Sequence, residues 1–86
     1  MHTVEMLDQA LSLLKKVGYL VRQEWLGGNG GGGCELRGRK VFFLDLAMSP
    51  AEQLDQVLDA LRREATIDEF PMPLSLRELL RPKRSA

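Results

Sequence analysis

The stretch from Cys34 to Leu46, Cys-Glu-Leu-Arg-Gly-Arg-Lys-Val-Phe-Phe-Leu-Asp-Leu, constrains this chain more than any other. Apolar residues recur on both sides of Gly38, and Gly38 stands where the chain must reverse, so the stretch reads as a β-hairpin. Gly38 and Arg39 as the two central residues suit a type II′ turn, which needs positive φ at its first position. In that register Arg37 faces Lys40, Leu36 faces Val41 and Cys34 faces Phe43. Cys34, Leu36, Val41 and Phe43 then share one face, while Phe42, Leu44 and Leu46 point to the other beside Glu35, Arg37 and Lys40. A strand apolar on both sides is what the covered centre of a sheet requires.

The segments around the hairpin follow from periodicity and punctuation. Val4, Leu7, Leu11 and Leu14, with Ala10 and Val17, recur at three-and-four spacing and predict a helix over residues 3–17. Thr3 is its expected N-cap, and Gly18 its left-handed stop, with Tyr19 packing back on Leu14. Residues 19–26 alternate as a strand, with Tyr19, Val21 and Trp25 on one side and Arg22 and Glu24 on the other. Six glycines in the next seven residues lose the most entropy on ordering, so 27–33 is expected to be a flexible loop. Ser49-Pro50-Ala51-Glu52 is a capping box with proline at the first helical position. The stripe Leu54, Val57, Leu58 and Leu61 carries that helix to residue 63 or 64, with Gln53, Asp55, Gln56 and Asp59 on its wet faces. Pro71 and Pro73 predict an irregular segment, and Ser75 to Glu78 a second capping box opening a short helix that Pro82 stops. Residues 82–86 are expected to fray.

The expected fold is α+β: one small two-layer domain over residues 1–86, ordered helix, strand, β-hairpin, helix and short helix, with a three-stranded, mainly antiparallel sheet. Twelve basic residues balance twelve acidic ones, so no net field draws the chain to nucleic acid or an anionic membrane. A single cysteine makes no internal disulfide and fits a reducing compartment. No apolar run approaches the ~20 residues of a membrane span, and no signal-peptide pattern opens the chain. The expected location is the cytoplasm.

A glycine-rich loop running into Cys-x-Leu-Arg-Gly (Gly33 to Gly38), a strand ending in Asp-Leu, a helix ending in Ala-Leu-Arg and a tail with Pro-x-x-x-Arg-Glu-Leu resemble a family of short bacterial proteins of uncharacterised function. The order of elements is also similar, by topology, to the opening of zincin-like metallopeptidases of the ImmA/IrrE type. In that family the helix after the last strand carries His-Glu-x-x-His, which holds zinc and activates water. The corresponding helix here, from Pro50 to Glu64, has no histidine, so those catalytic residues do not carry over.

The residues themselves offer little chemistry. Gly28-x-Gly30-x-x-Gly33 has dinucleotide-binding spacing, but a strand follows where that motif needs a helix N-terminus. Cys34 is read as a small buried residue, and one cysteine with one distant histidine, His2, is no metal set. Asp45 is expected to end its strand near the Ser49 turn rather than to work as an acid or base. No catalytic residue, metal or cofactor is expected. The function read from these features is a non-catalytic interaction module, self-associating or docking on a protein partner, without membrane or nucleic acid. The alternative is a small or degenerate zincin-like hydrolase with a site between loop and hairpin. Gly28, Asn29, Gly30 and Gly31 form a possible ligand loop. With the helices on the Leu36/Val41/Phe43 face, Phe42, Leu44 and Leu46 would lie open. Either the segment containing Phe70, Met72 and Leu74 folds over them, or all six residues form a two-fold interface.

Overall fold

The computed structural model describes residues 2–81. Its elements are α1 (Thr3–Lys16), β1 (Leu20–Glu24), β2 (Gly32–Leu36), β3 (Arg39–Asp45), α2 (Pro50–Arg62), a 3₁₀ turn at Ile67–Glu69 and α3 (Leu74–Leu80). Helices pack on a three-stranded sheet of order β1-β3-β2, an α+β fold with the doubly apolar β3 at its centre. The sheet is mixed rather than mainly antiparallel. β2 runs antiparallel to β3, but β1 runs parallel to it. The glycine-rich segment after β1 carries the chain past the end of β3 to its far side, and β3 then returns between the other two strands.

The hairpin turns one residue earlier than expected. Arg37 (φ 52°) and Gly38 (φ 79°) are its central residues, and Leu36 faces Arg39 while Cys34 faces Val41. Two positive φ angles make this a type I′ turn, whose twist matches the strands it joins. The shift sets Glu35 against Lys40 and Gly33 against Phe42. Gly33 belongs there because a Cβ would stand 3.3 Å from the Tyr19 ring and 3.6 Å from Ala60. The left-handed backbone at Arg37 is the local cost of that long-range fit.

The helices cover the opposite sheet face from the one expected. Phe42 is fully buried and Leu44 nearly so, both inside a core built with Met6, Leu7, Ala10, Leu13 and Leu14 of α1 and Val57, Leu58, Ala60 and Leu61 of α2. The parallel register explains the choice. Val21 pairs beside Phe42, whereas Arg22 and Glu24 pair beside Phe43 and Asp45, so the charged side of β1 shares a face with Val41 and Phe43 and stays in water.

α1 carries Met6 and Leu13 in its buried stripe, while Val4 is 58% exposed. Its N-cap is His2, not Thr3, and makes no side-chain cap bond. At the other end Gly18 (φ 108°) donates to the Lys15 carbonyl and Tyr19 to the Leu14 carbonyl, the paired bonds of a Schellman stop. α2 has the full capping box, with the Glu52 amide donating to Ser49 Oγ at 3.2 Å and the Ser49 amide to Glu52 Oε1 at 2.9 Å. α3 starts at Leu74 with Pro73 as its N-cap and no side-chain cap bond, so Ser75 is not the cap; its hydroxyl lies 3.8 Å from Met6 Sδ instead. The expected stop at Pro82 and the frayed residues 82–86 lie outside the described residues.

Candidate functional site

Asp45 is the polar centre of the structure. It ends β3 where the glycine-rich segment crosses, and its side chain is fully buried. Oδ1 accepts the Leu26 amide at 3.0 Å and the Ala47 amide at 2.9 Å, and Oδ2 accepts the Gly28 amide at 2.7 Å. Burial alone pushes this carboxyl up, but the amides of Ala47, Leu26, Gly28 and Gly30 outweigh it and hold the group below its ordinary value near 3.8. An ionised carboxylate enclosed by backbone donors has neither a proton to give nor a lone pair facing solvent. Its work is structural: it satisfies amides that the crossing would otherwise strand. Its own backbone carbonyl accepts Gln53 Nε2 at 2.9 Å. Gln53 is therefore buried against the strand end, not on the wet face where periodicity placed it.

The proposed ligand loop is thus partly committed to the fold. Gly28 is bound to Asp45, the Asn29 amide donates to the Leu26 carbonyl at 3.3 Å, and Gly32 and Gly33 belong to β2. Beside the loop a shallow cleft is lined by Gly31, Gly32, Gly33, Gln56, Asp59, Ala60 and Arg63. Gln56 Oε1 is buried there without a hydrogen-bond partner among the described residues. On the other side of the sheet's end, Lys40 Nζ is held by Glu64 at 2.7 and 2.8 Å and by the Val17 carbonyl at 3.3 Å, and sits 5.5 Å from the Tyr19 ring centre. Neither contact was legible in the sequence, since each joins residues some twenty positions apart or on different elements.

The sheet face away from the helices is the larger feature. It brings together Leu20 and Leu36, 50% and 52% exposed, with buried Val41, half-buried Phe43 and exposed Cys34 on the same face. Arg22, Glu24 and Arg39 share it. Cys34 was expected to be buried; it is exposed because β2 is an edge strand and its side chain lies on the uncovered face. The six residues expected at an interface are divided. Phe42 and Leu44 are in the core and unavailable, Leu46 is half-buried, Phe70 and Met72 pack on the core, and only Leu74 is well exposed, at 72%. The C-terminal segment lies on the helices: α3 contacts α1 and α2. Arg77 is half-buried and donates to the Phe70 carbonyl at 2.9 Å.

Among the described residues no group of three or more histidine, cysteine or acidic side chains is placed to hold a metal ion, and no helix is long and apolar enough to cross a membrane. Asp55 and Asp59 lie exposed on α2. Comparison with models of known protein families, with curated proteins and with solved structures found no match to this chain.

Proposed function

We propose that this protein is a non-catalytic interaction module, acting in the cytoplasm, that binds protein through the uncovered side of its sheet. One observation carries the reading: Leu20 and Leu36 stand half-exposed across a face that also holds Val41 and Phe43. Exposed apolar side chains gathered on one face of a small domain mark a contact site. Asp45 supports the same reading from the other direction. Its saturated carboxylate removes the group best placed for acid–base work near the loop and hairpin, where a degenerate hydrolase would need it. The resemblance to short bacterial proteins sharing the loop and Cys-x-Leu-Arg-Gly belongs to this proposal as the family in which such a module would recur.

Site-specific photocrosslinking in the native cell tests it. A benzoylphenylalanine at position 36 should give a discrete protein adduct, absent when the probe replaces exposed Asp55 and lost when Leu20→Lys is added. No adduct at position 36, or the same adducts from both positions, overturns the reading.

A further inference from the structure

Among the described residues no strand pairs with the outer edge of β1, and its sequence is antisymmetric about Gln23. Leu20-Val21-Arg22-Gln23-Glu24-Trp25-Leu26 reads apolar, apolar, basic, glutamine, acidic, apolar, apolar. We infer that β1 pairs antiparallel with β1 of a second copy of this chain, with Gln23 on the two-fold axis. This goes beyond the face-binding reading: the contact is at the sheet's edge, across from β2, and its partner is a second copy.

The backbone supports that register. The Leu46 amide donates to the Glu24 carbonyl at 2.8 Å, so Glu24 turns its backbone toward β3. Alternation along β1 then turns Arg22 the same way and leaves the N–H and C=O groups of Val21 and Gln23 facing outward; just beyond the strand, the Leu26 amide donates to Asp45 at the end of β3, which turns the Trp25 backbone outward as well. With Gln23 opposite its mate, Gln23 exchanges two hydrogen bonds with itself, and Val21 exchanges two with the partner's Trp25 on each side. The groups that are free are the groups this register uses.

The side chains select the same register. It sets Arg22 opposite the partner's Glu24 twice, Val21 opposite Trp25 and Leu20 opposite Leu26. Moving the axis to Arg22 would set Arg22 against Arg22, and moving it to Glu24 would set Glu24 against Glu24. Like charges directly opposite oppose pairing, whereas opposite charges and apolar pairs favour it. The exposure agrees: Trp25 is 74% exposed, Leu20 50%, and the Arg22–Glu24 contact within one chain is a loose 3.4 Å. β1 also lacks the proline, lysine or bulge that commonly blocks an edge. β2, the other edge, opens with Gly32 and Gly33, residues that weaken strand pairing. The product is a six-stranded sheet of order β2-β3-β1-β1-β3-β2 with both pairs of helices on one side. One strand pair buries less than the ~1,200 Å² of standard interfaces, the size class of weak, transient contacts.

Sedimentation of the full chain from about 10 to about 500 µM tests this, with emission of Trp25, the sole tryptophan, as a second readout. The wild type should pass from monomer to dimer with a blue shift. Gln23→Pro removes an outward N–H, which an edge strand tolerates, and should raise the dimer Kd at least about tenfold with far-ultraviolet dichroism unchanged. Arg22→Glu should do the same, and Arg22→Glu with Glu24→Arg should restore the Kd to within about threefold. A wild type that stays monomeric, a dimer indifferent to Arg22→Glu, or a double variant without rescue overturns the inference. A monomer that still crosslinks from position 36 on β2 leaves the interaction module standing with a different protein as its partner.

Discussion

Asp45 shows how one side chain sets the behaviour of a whole segment. Its carboxyl is held below the ordinary value, so the folded state binds its proton less readily than the unfolded chain. The stability it contributes is present above the unfolded value near 3.8 and is lost as pH falls through the lower, folded one. Asp45→Asn should therefore lower the thermal midpoint at pH 7 and flatten its decline below about pH 4, measured by dichroism melts across pH. Glu52, held low first by the Ser49 backbone amide and then by its hydroxyl, adds to the same acid limb. Cys34 gives a simpler test. Being exposed, it should react with a thiol reagent in the folded protein within about tenfold of its rate in denaturant.

At the scale of elements, glycine and its substitutes decide how the strands meet. Gly31 (φ 106°) and Gly32 (φ 97°) share a left-handed backbone, but only Gly31 is crowded. A Cβ there would meet Gln56 Oε1 at 2.7 Å and the Phe43 carbonyl at 3.0 Å, whereas one at Gly32 meets nothing within 4 Å. Both alanine variants carry the backbone penalty, and Gly31→Ala should cost about 1–2 kcal/mol more than Gly32→Ala in urea unfolding. The hairpin offers the opposite sign. Arg37 occupies a left-handed position (φ 52°) before Gly38, and Arg37→Asn creates the Asn-Gly pair that a type I′ turn prefers. It should stabilise the fold by ~0.5–1 kcal/mol.

Across the whole molecule, the C-terminal segment belongs to the core rather than to the sheet. Leu76 and Leu80 are buried against the other helices while Leu74, two residues before Leu76 at the start of α3, is exposed. Leu76→Ala should cost ~2–5 kcal/mol by urea unfolding and Leu74→Ala within ~0.5 kcal/mol. Near-equal costs would mean that α3 does not dock as described. The same packing separates the two sheet faces by role: one is filled by α1 and α2, and the other is left with apolar residues in water.

What the sequence determined by itself is the set of features that a segment settles with its own neighbours. The Ser49–Glu52 box, the Gly18 stop, the stripe of α2 and the doubly apolar β3 each depend on residues within a turn or two of one another. Periodicity likewise grouped Phe42 with Leu44, and Val41 with Phe43, because alternation is a property of any strand. Which of those faces the helices would cover was decided only by the tertiary structure. That choice came from the parallel pairing of β1 with β3, which brought Arg22 and Glu24 to the side of Phe43. The position of the turn followed from Gly33 meeting Tyr19 and Ala60, and the exposure of Cys34 from the face its edge strand presents. Asp45 was legible as a strand end, but its hydrogen bonds required the segment after β1 to cross the end of β3. Contacts between distant residues outweigh local preference at such points, since one slipped register or turned face moves several buried side chains at once.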